Sequence, residues 1–584
     1  MTADQAAAKM PLDNKAKYSL VSLALVVILF ALVFAVICSN PLMVAPGVAL
    51  NLEAAKLILL GKVPYFDFFC LSSPLLLYAS VVPLSFGQAL GLPPSLASNL
   101  MVWSLALVSV LSCAAILLPR RHHREWHHFP SFIVAYALAN VLMLFQIGQG
   151  EHLVMLALTP YFLVRWLRWN GQTVSRREAI VSGIFAAFAV CLWHGFLIIA
   201  ASLEVFWLLS LRRFRPLLAL EVRACICTVS ILLLAALALP EAARSEYISL
   251  VFPLLSLGYQ CHDWSIYGIN SVPERRDVFY TAIAAILFVL PFRRRTSLAA
   301  PLVVIFLVGF ALYLSQLKGL SQSAISMIFA TTLLLSVNLS IAGAIVRRIS
   351  RKVYRRRMRA SAGNGASWRN PLVSNLGLFA YAVSILVLVG TFLKQQESKI
   401  GRALPLVAEV IPGEIARQKS ELAPSSLAGQ SSAETSEPAS CAAWLAKYSR
   451  ESDEVMFLTD SIVPGYPLML QMKRKPTGYL LQSDCLVELE ACERESLQPK
   501  MLEAYAEKLY TRLDGDIASQ RAKMIFVQDV TIGDLLKKHK VAATLLKHYE
   551  LKGHARLKAA NEEPLEHTGF NYNIGVFLPL RPQP

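Results

Sequence analysis

Charge is scarce in this sequence. Asp, Glu, Lys and Arg make up 16% of its 584 residues, where a soluble chain carries roughly a quarter. That excludes an ordinary soluble globular protein of this length. Acidic residues are the scarcer sign: 39 Asp and Glu stand against 56 Lys and Arg, a formal charge of +17. The excess does not mark a nucleic-acid binder. The basic residues lie in short segments between apolar runs, where they set membrane topology, and no nucleic-acid partner is expected. Zinc-type spacing is missing: the ten cysteines form no CxxC pair and no Cys/His pattern. No repeat of fixed period is apparent. No small-residue cleavage pattern follows the first apolar run, so 18–39 reads as a retained signal anchor.

What is abundant is apolar: 55% of the residues are hydrophobic. A hydrocarbon core of about 30 Å takes roughly 20 apolar residues per helix. Such runs occur near 18–39, 97–118, 130–148, 152–168, 178–195, 196–211, 221–239, 276–292, 299–316, 323–346 and 372–393. The run 73–90 holds Pro74, Pro83 and Gly87 and suits either a span or an interface helix. Charge decides between them. With the N-terminus inside and 73–90 not crossing, the arginine clusters at 120–124, 165–168, 176–177, 212–215, 293–295 and 347–359 all fall inside. Counting 73–90 as a span would invert every later cluster. The run 347–359 reads as a topology determinant touching anionic lipid.

The expected architecture is a polytopic α-helical membrane protein of about eleven spans, counted from the apolar runs. Residues 1–17 are a cytoplasmic N-terminus, and 18–393 form the transmembrane domain with a large outside loop at 40–72. Residues 394–440, rich in Ser, Ala, Glu and Pro, form a linker. Residues 441–584 form a small extracytoplasmic α/β domain. In that domain 454–459, 523–528 and 573–580 read as strands, and 501–513 and 533–549 as helices. Its Cys441, Cys485 and Cys492 are free to form a disulfide outside the cytosol, though none is implied.

The outside loop carries the most chemistry. Glu53 and Lys56 lie three apart on one helix face, Gly61 suits the end of that helix, and Pro64 and Asp67 suit a turn beside Tyr65. A second acid, Glu151, falls at the turn between two apolar runs, beside His152. The topology puts Glu53, Asp67 and Glu151 on one face, although the acids were not used to derive it. Clustered carboxylates there suit a general base for a hydroxyl acceptor or ligands for a divalent cation, with Glu53 and Glu151 as the metal candidates. Lys318, Arg275 and Arg276 fall on the same face and suit a phosphate leaving group. His152 suits tuning of Glu151 or a hydrogen bond to a sugar. Plainer roles fit as well: a surface ion pair for Glu53, the helix dipole for Glu151, a turn for Asp67, a cap for His152 and an interface anchor for Lys318.

With these motifs the chain resembles the GT-C superfamily of membrane glycosyltransferases, nearest the protein O-mannosyltransferase and lipid A aminoarabinose transferase families. The resemblance rests on an acid followed by Gly61-x-x-Pro64-Tyr65-x-Asp67 and Ser73-Pro74-Leu-Leu-Leu-Tyr78. It rests also on Gln149-Gly150-Glu151-His152 leading into Pro160-Tyr161, and on Gln316-Leu317-Lys318-Gly319. The family's usual acid pair is replaced here by Asn51-Leu52-Glu53. The resemblance implies transfer of a sugar from a polyprenyl-phosphate donor to a glycan, lipid or protein acceptor outside the cytosol of a bacterial plasma (inner) membrane. Glu53 matches the base, and Glu151 the acid that binds acceptor or metal. Two alternatives stand beside it: a transporter or flippase of lipid-linked sugar, which would favour duplicated halves and midplane charges, and a non-catalytic envelope assembly protein.

Overall fold

The computed structural model describes residues 12–123, 125–192, 195–257, 273–292, 296–316, 325–360, 440–495, 499–556 and 573–580. The chain divides into two compact units. The first comprises Met1–Ser39, Leu100–Leu232 and Trp264–Glu397; the second comprises Asn40–Asn99, Leu233–Asp263 and Ser398–Pro584.

The helices of the N-terminal two thirds run α1 (Leu12–Ser39), α2 (Pro46–Leu59), α3 (Pro74–Leu90), α4 (Pro94–Leu117), α5 (Phe129–Leu142), α6 (Gly150–Trp169), α7 (Arg176–Leu192), α8 (Gly195–Leu211) and α9 (Leu220–Leu237). Then follow α10 (Glu241–Glu246), a π-helical turn at Tyr247–Val251, α11 (Phe252–Leu257), α12 (Pro273–Val289), α13 (Ala299–Gln316) and α14 (Ile325–Ala360). By length and composition Ala16–Ser39, Pro94–Leu117, Leu220–Leu237 and Ile325–Ile345 can each cross a membrane. Shorter apolar helices are Pro74–Leu90, Leu197–Leu211, Phe279–Val289 and Ala299–Leu314. The chain is thus a polytopic helical membrane protein. The expected run 372–393 and linker 394–440 lie outside the described residues.

In the first unit α5 and α6 are buried along most of their length, and α1 and α14 pack on α5. Arg165 departs from the loop position that the topology argument gave it. It lies within α6 and is fully buried. Its guanidinium donates to both Glu204 oxygens at 2.7 and 2.6 Å, to Glu221 at 2.9 Å and to the Pro216 carbonyl at 2.8 Å. Arg168 shares Glu221 at 3.2 Å, and Trp169 donates to Glu204. A buried charge survives only when it is paired in this way. Close helix contact is set by Gly183 in α7: a Cβ there would run into the Glu221 carbonyl and the Ala224 methyl of α9. Small residues at such crossings let backbones approach.

The second unit joins the segment 40–99 to the C-terminal residues. Its last third runs α15 (Cys441–Tyr448), β1 (Glu454–Leu458), α16 (Gly465–Gln471), β2 (Lys475–Pro476), α17 (Asp484–Glu495), α18 (Pro499–Ala518) and β3 (Met524–Gln528). It ends with α19 (Thr531–Lys538), α20 (Val541–His548), β4 (Tyr549–Arg556) and β5 (Asn573–Pro579). The strands form one sheet in the order β2-β1-β3-β5-β4, with β2, β1 and β3 parallel and β5 and β4 antiparallel. The strands expected at 454–459, 523–528 and 573–580 are present. The single helix expected at 533–549 is two helices, α19 and α20, broken at Lys540, whose φ is +62°. The break falls in the polar run Lys537-Lys538-His539-Lys540, where the apolar period lapses.

One hydrophobic core serves the whole second unit. Leu50, Leu52, Phe68, Phe69 and Leu77 of the loop pack in it with Trp444, Phe457, Leu470, Leu509 and Phe526. The described residues after 440 are therefore not a free appendage; they share their interior with 44–84. α3 buries Leu77, Leu84 and Gly87 and exposes Val82, Phe86 and Leu90 at four-residue spacing. That leaves one apolar stripe facing outward, as a helix in contact with lipid would.

Candidate active site

Pro46 starts α2 at a position where the missing N–H costs nothing, after Ala45 in extended conformation. Gly61 ends it with φ +83°, and the Gly61 and Lys62 N–H groups donate to the Ile58 and Leu57 carbonyls at 2.9 and 3.0 Å. A left-handed residue after the last turn favours glycine because it lacks a Cβ. The helix so fixed turns Asn51, Leu52 and Glu53 inward.

Glu53 is 2% exposed, and its Oε1 lies 2.6 Å from Lys56 Nζ. Burial raises its pKa, and the Lys56 charge opposes that rise without cancelling it. The motif around the acid closes on itself. Ser72 Oγ donates to Asn51 Oδ1 at 2.7 Å, and Ser73 caps α3 by accepting from the Leu76 N–H. A buried carboxylate with an elevated pKa takes a proton more readily than an exposed one.

Asp67 is exposed, and its Oδ2 accepts from the Val63 N–H at 2.6 Å. In this position it holds the Val63–Asp67 turn. Tyr65 is 1% exposed and has φ +66°. A non-glycine residue keeps such a conformation only when its neighbours over-determine it. Here they do: Tyr65 Oη donates to the Ser72 carbonyl at 2.7 Å, its ring lies 5.2 Å from Tyr247, and its carbonyl accepts from Tyr479 Oη at 2.8 Å.

The C-terminal residues clamp this loop, which the sequence reading did not anticipate. Phe69 N–H donates to the Tyr479 carbonyl at 2.6 Å, and Leu481 N–H donates to the Phe69 carbonyl at 3.1 Å. Arg512 donates to the Phe66 carbonyl at 2.8 Å while its guanidinium stacks 4.3 Å from the Tyr479 ring centre. Lys508 pairs with Glu246 at 2.6 Å. α16 packs on α2 and brings Tyr466, 1% exposed, into the surroundings of Glu53. Among the described residues the Tyr466 hydroxyl has no hydrogen-bond partner. Burial first, and then the Glu53 charge, raise its pKa well above the tyrosine norm. A buried hydroxyl left open in this way is free to meet a substrate oxygen. Pro464-Gly465-Tyr466-Pro467 was the one available signal, a turn-forming cluster with an aromatic inside an otherwise regular domain.

In the first unit Glu151 stands in the opening turn of α6, half-buried, where the helix dipole favours an anion. His152 is fully buried. Its Nδ1 accepts from the Gly148 N–H at 3.3 Å, and its Nε2 meets Asn140 Oδ1 at 3.1 Å. Both ring nitrogens are engaged within the protein, so His152 fixes the turn that carries Glu151. Arg275 and Arg276 fall in α12, with side chains outside the described residues, as is the whole of Lys318. Glu53, Tyr65 and Asp67 thus belong to the second unit, and Glu151, His152, Arg275 and Arg276 to the first.

Among the described residues no three His, Cys, Asp or Glu side chains gather as a metal site. One Glu53 oxygen, Oε1, faces Lys56.

No protein-family model matches the sequence. No curated protein matches it either. Among solved structures the chain is similar to ArnT from Cupriavidus metallidurans in the apo state, at 13% identity and a TM-score of 0.45, over 94% of this chain and 97% of that one. The same protein bound to undecaprenyl phosphate gives 13% and 0.44 over the same shares. The archaeal oligosaccharyltransferase AglB from Archaeoglobus fulgidus, in complex with an inhibitory peptide and a dolichol-phosphate, gives 11% and 0.42 over 92% of this chain and 72% of that one.

Proposed function

We propose that this protein is a GT-C-type membrane glycosyltransferase that moves a sugar from a polyprenyl-phosphate donor to an acceptor hydroxyl outside the cytosol. The observation that carries the reading is Glu53: a buried carboxylate with a raised pKa, at the centre of the folded acid–Gly-x-x-Pro-Tyr-x-Asp–Ser-Pro motif. In the proposed step the acceptor oxygen bonds to the anomeric carbon, and its proton passes to Glu53. The bond from that carbon to the phosphate oxygen breaks, and its electron pair leaves with the polyprenyl phosphate. Tyr466 would hydrogen-bond the acceptor, and Glu151 is proposed as a further acceptor contact. Lys318, Arg275 and Arg276 would hold the departing phosphate.

The proposed orientation has the N-terminus in the cytoplasm and the second unit outside it. Support comes from Cys492, which is disulfide-bonded, a state expected of an oxidising compartment. The test is transfer in membranes supplied with radiolabelled polyprenyl-phosphate sugars. Glu53→Gln and Glu151→Gln are expected to remove transfer, by about 10²–10⁴-fold for the base, with expression unchanged. Full activity in both variants rejects the site.

A further inference from the structure

The first unit contains a cavity of about 880 Å³ whose walls include Arg168, Arg213, Arg215 and Arg223, together with Phe214 and Pro216. It lies at the turn between α8 and α9. Because Leu220–Leu237 is long and apolar enough to cross a membrane, the start of α9 marks one edge of the hydrocarbon layer.

The charges around this cavity do not balance. Glu204 and Glu221 are the nearby carboxylates, and both are taken: Arg165 holds each of them, and Arg168 shares Glu221. Two arginines and two glutamates cancel. Among the described residues no carboxylate pairs with Arg213, Arg215 or Arg223, so three positive charges face the cavity uncompensated. Guanidinium groups match phosphate oxygens in fork geometry better than any other side chain. Beside them Phe214 and Leu218 are 71% and 76% exposed. Large apolar side chains that stand out next to a cationic cavity at a membrane edge suit acyl chains rather than water.

We propose that this cleft binds the phosphate headgroup of an anionic phospholipid, with the acyl chains against Phe214 and Leu218. The site is separate from the Glu53 reading and does not depend on it. Basic loops in general attract anionic lipid; the difference here is a concave site built from named arginines.

The test is native mass spectrometry of the purified full-length protein, titrated with phosphatidylglycerol or phosphatidylcholine. Selective retention of phosphatidylglycerol is expected. Replacing Arg213, Arg215 and Arg223 together by Ala should lower it about a hundredfold, since each arginine near a membrane surface contributes about fivefold. Arg176 and Arg177, exposed at the start of α7 and not among the residues lining the cavity, are the control. Their joint replacement by Ala should leave retention unchanged. Should the triple variant misfold, Arg213→Gln and Arg223→Gln decide singly, each with an expected loss of about fivefold. Equal retention of both lipids, wild-type retention in the cavity variants, or an equal loss in the control overturns the site. Displacement of the lipid by inorganic phosphate at the same concentration overturns the lipid assignment.

Discussion

The two units bury polar groups in opposite ways. In the first, Arg165 is enclosed and every charge it meets is answered: two Glu204 oxygens, one Glu221 oxygen and a carbonyl. In the second, Glu53 has a single cationic partner, Lys56, and the Tyr466 hydroxyl close by has no partner among the described residues. A closed network in a low-dielectric interior is costly to break. A partly open one keeps hydrogen-bonding capacity that a substrate can use. The contrast separates a closed cluster that holds helices together from one that keeps an open hydrogen-bonding hydroxyl.

The comparison breaks most visibly at Arg165. Arg165→Ala leaves Glu221 buried and Glu204 half-buried without their main partner and is expected to cost about 3–5 kcal/mol. Thermal unfolding in detergent checks it. Glu53→Gln is expected to leave the melting temperature unchanged or higher, because it removes a buried charge while Lys56 can hydrate. A larger loss at Glu53 than at Arg165 would reverse the assignment of roles. Next in size, Gly183→Ala forces α7 away from α9 and is expected to cost about 1–3 kcal/mol, read in the same assay. In the second unit, Arg512→Ala removes one hydrogen bond and one cation–π contact from the loop clamp. Its expected cost is about 1–2 kcal/mol, with faster protease cleavage near residues 61–69 as the local sign.

The smallest effect tests the open site through pH. Glu53 must be ionised to act as a base, and burial raises its pKa while Lys56 lowers it. Activity therefore rises as pH passes upward through that raised value. Lys56→Met removes the lowering influence, so the acidic limb of the pH–rate profile should move to higher pH. Movement to lower pH, or none, would remove Glu53 from the titrating step.

Much of this was legible in the sequence for local reasons. The scarcity of charge and the long apolar runs determine a membrane chain, because hydrocarbon accepts little else. The Glu53–Lys56 spacing, Gly61 after the last turn, Ser73 before Pro74 and the Val63–Asp67 turn are all short-range, and each forms as its residues dictate. The strands at 454–458, 524–528 and 573–579 announce themselves by continuous apolar residues. Tertiary structure alone decided the rest. That the described residues after 440 share one core with 44–84, that Tyr479 and Arg512 hold the Tyr65 loop, and that Tyr466 arrives beside Glu53 depend on contacts across some 400 positions. The same holds for Arg165, a loop charge by its neighbours in sequence and a buried one by its partners in space. A side chain's period predicts which face it occupies, but only packing decides what stands opposite.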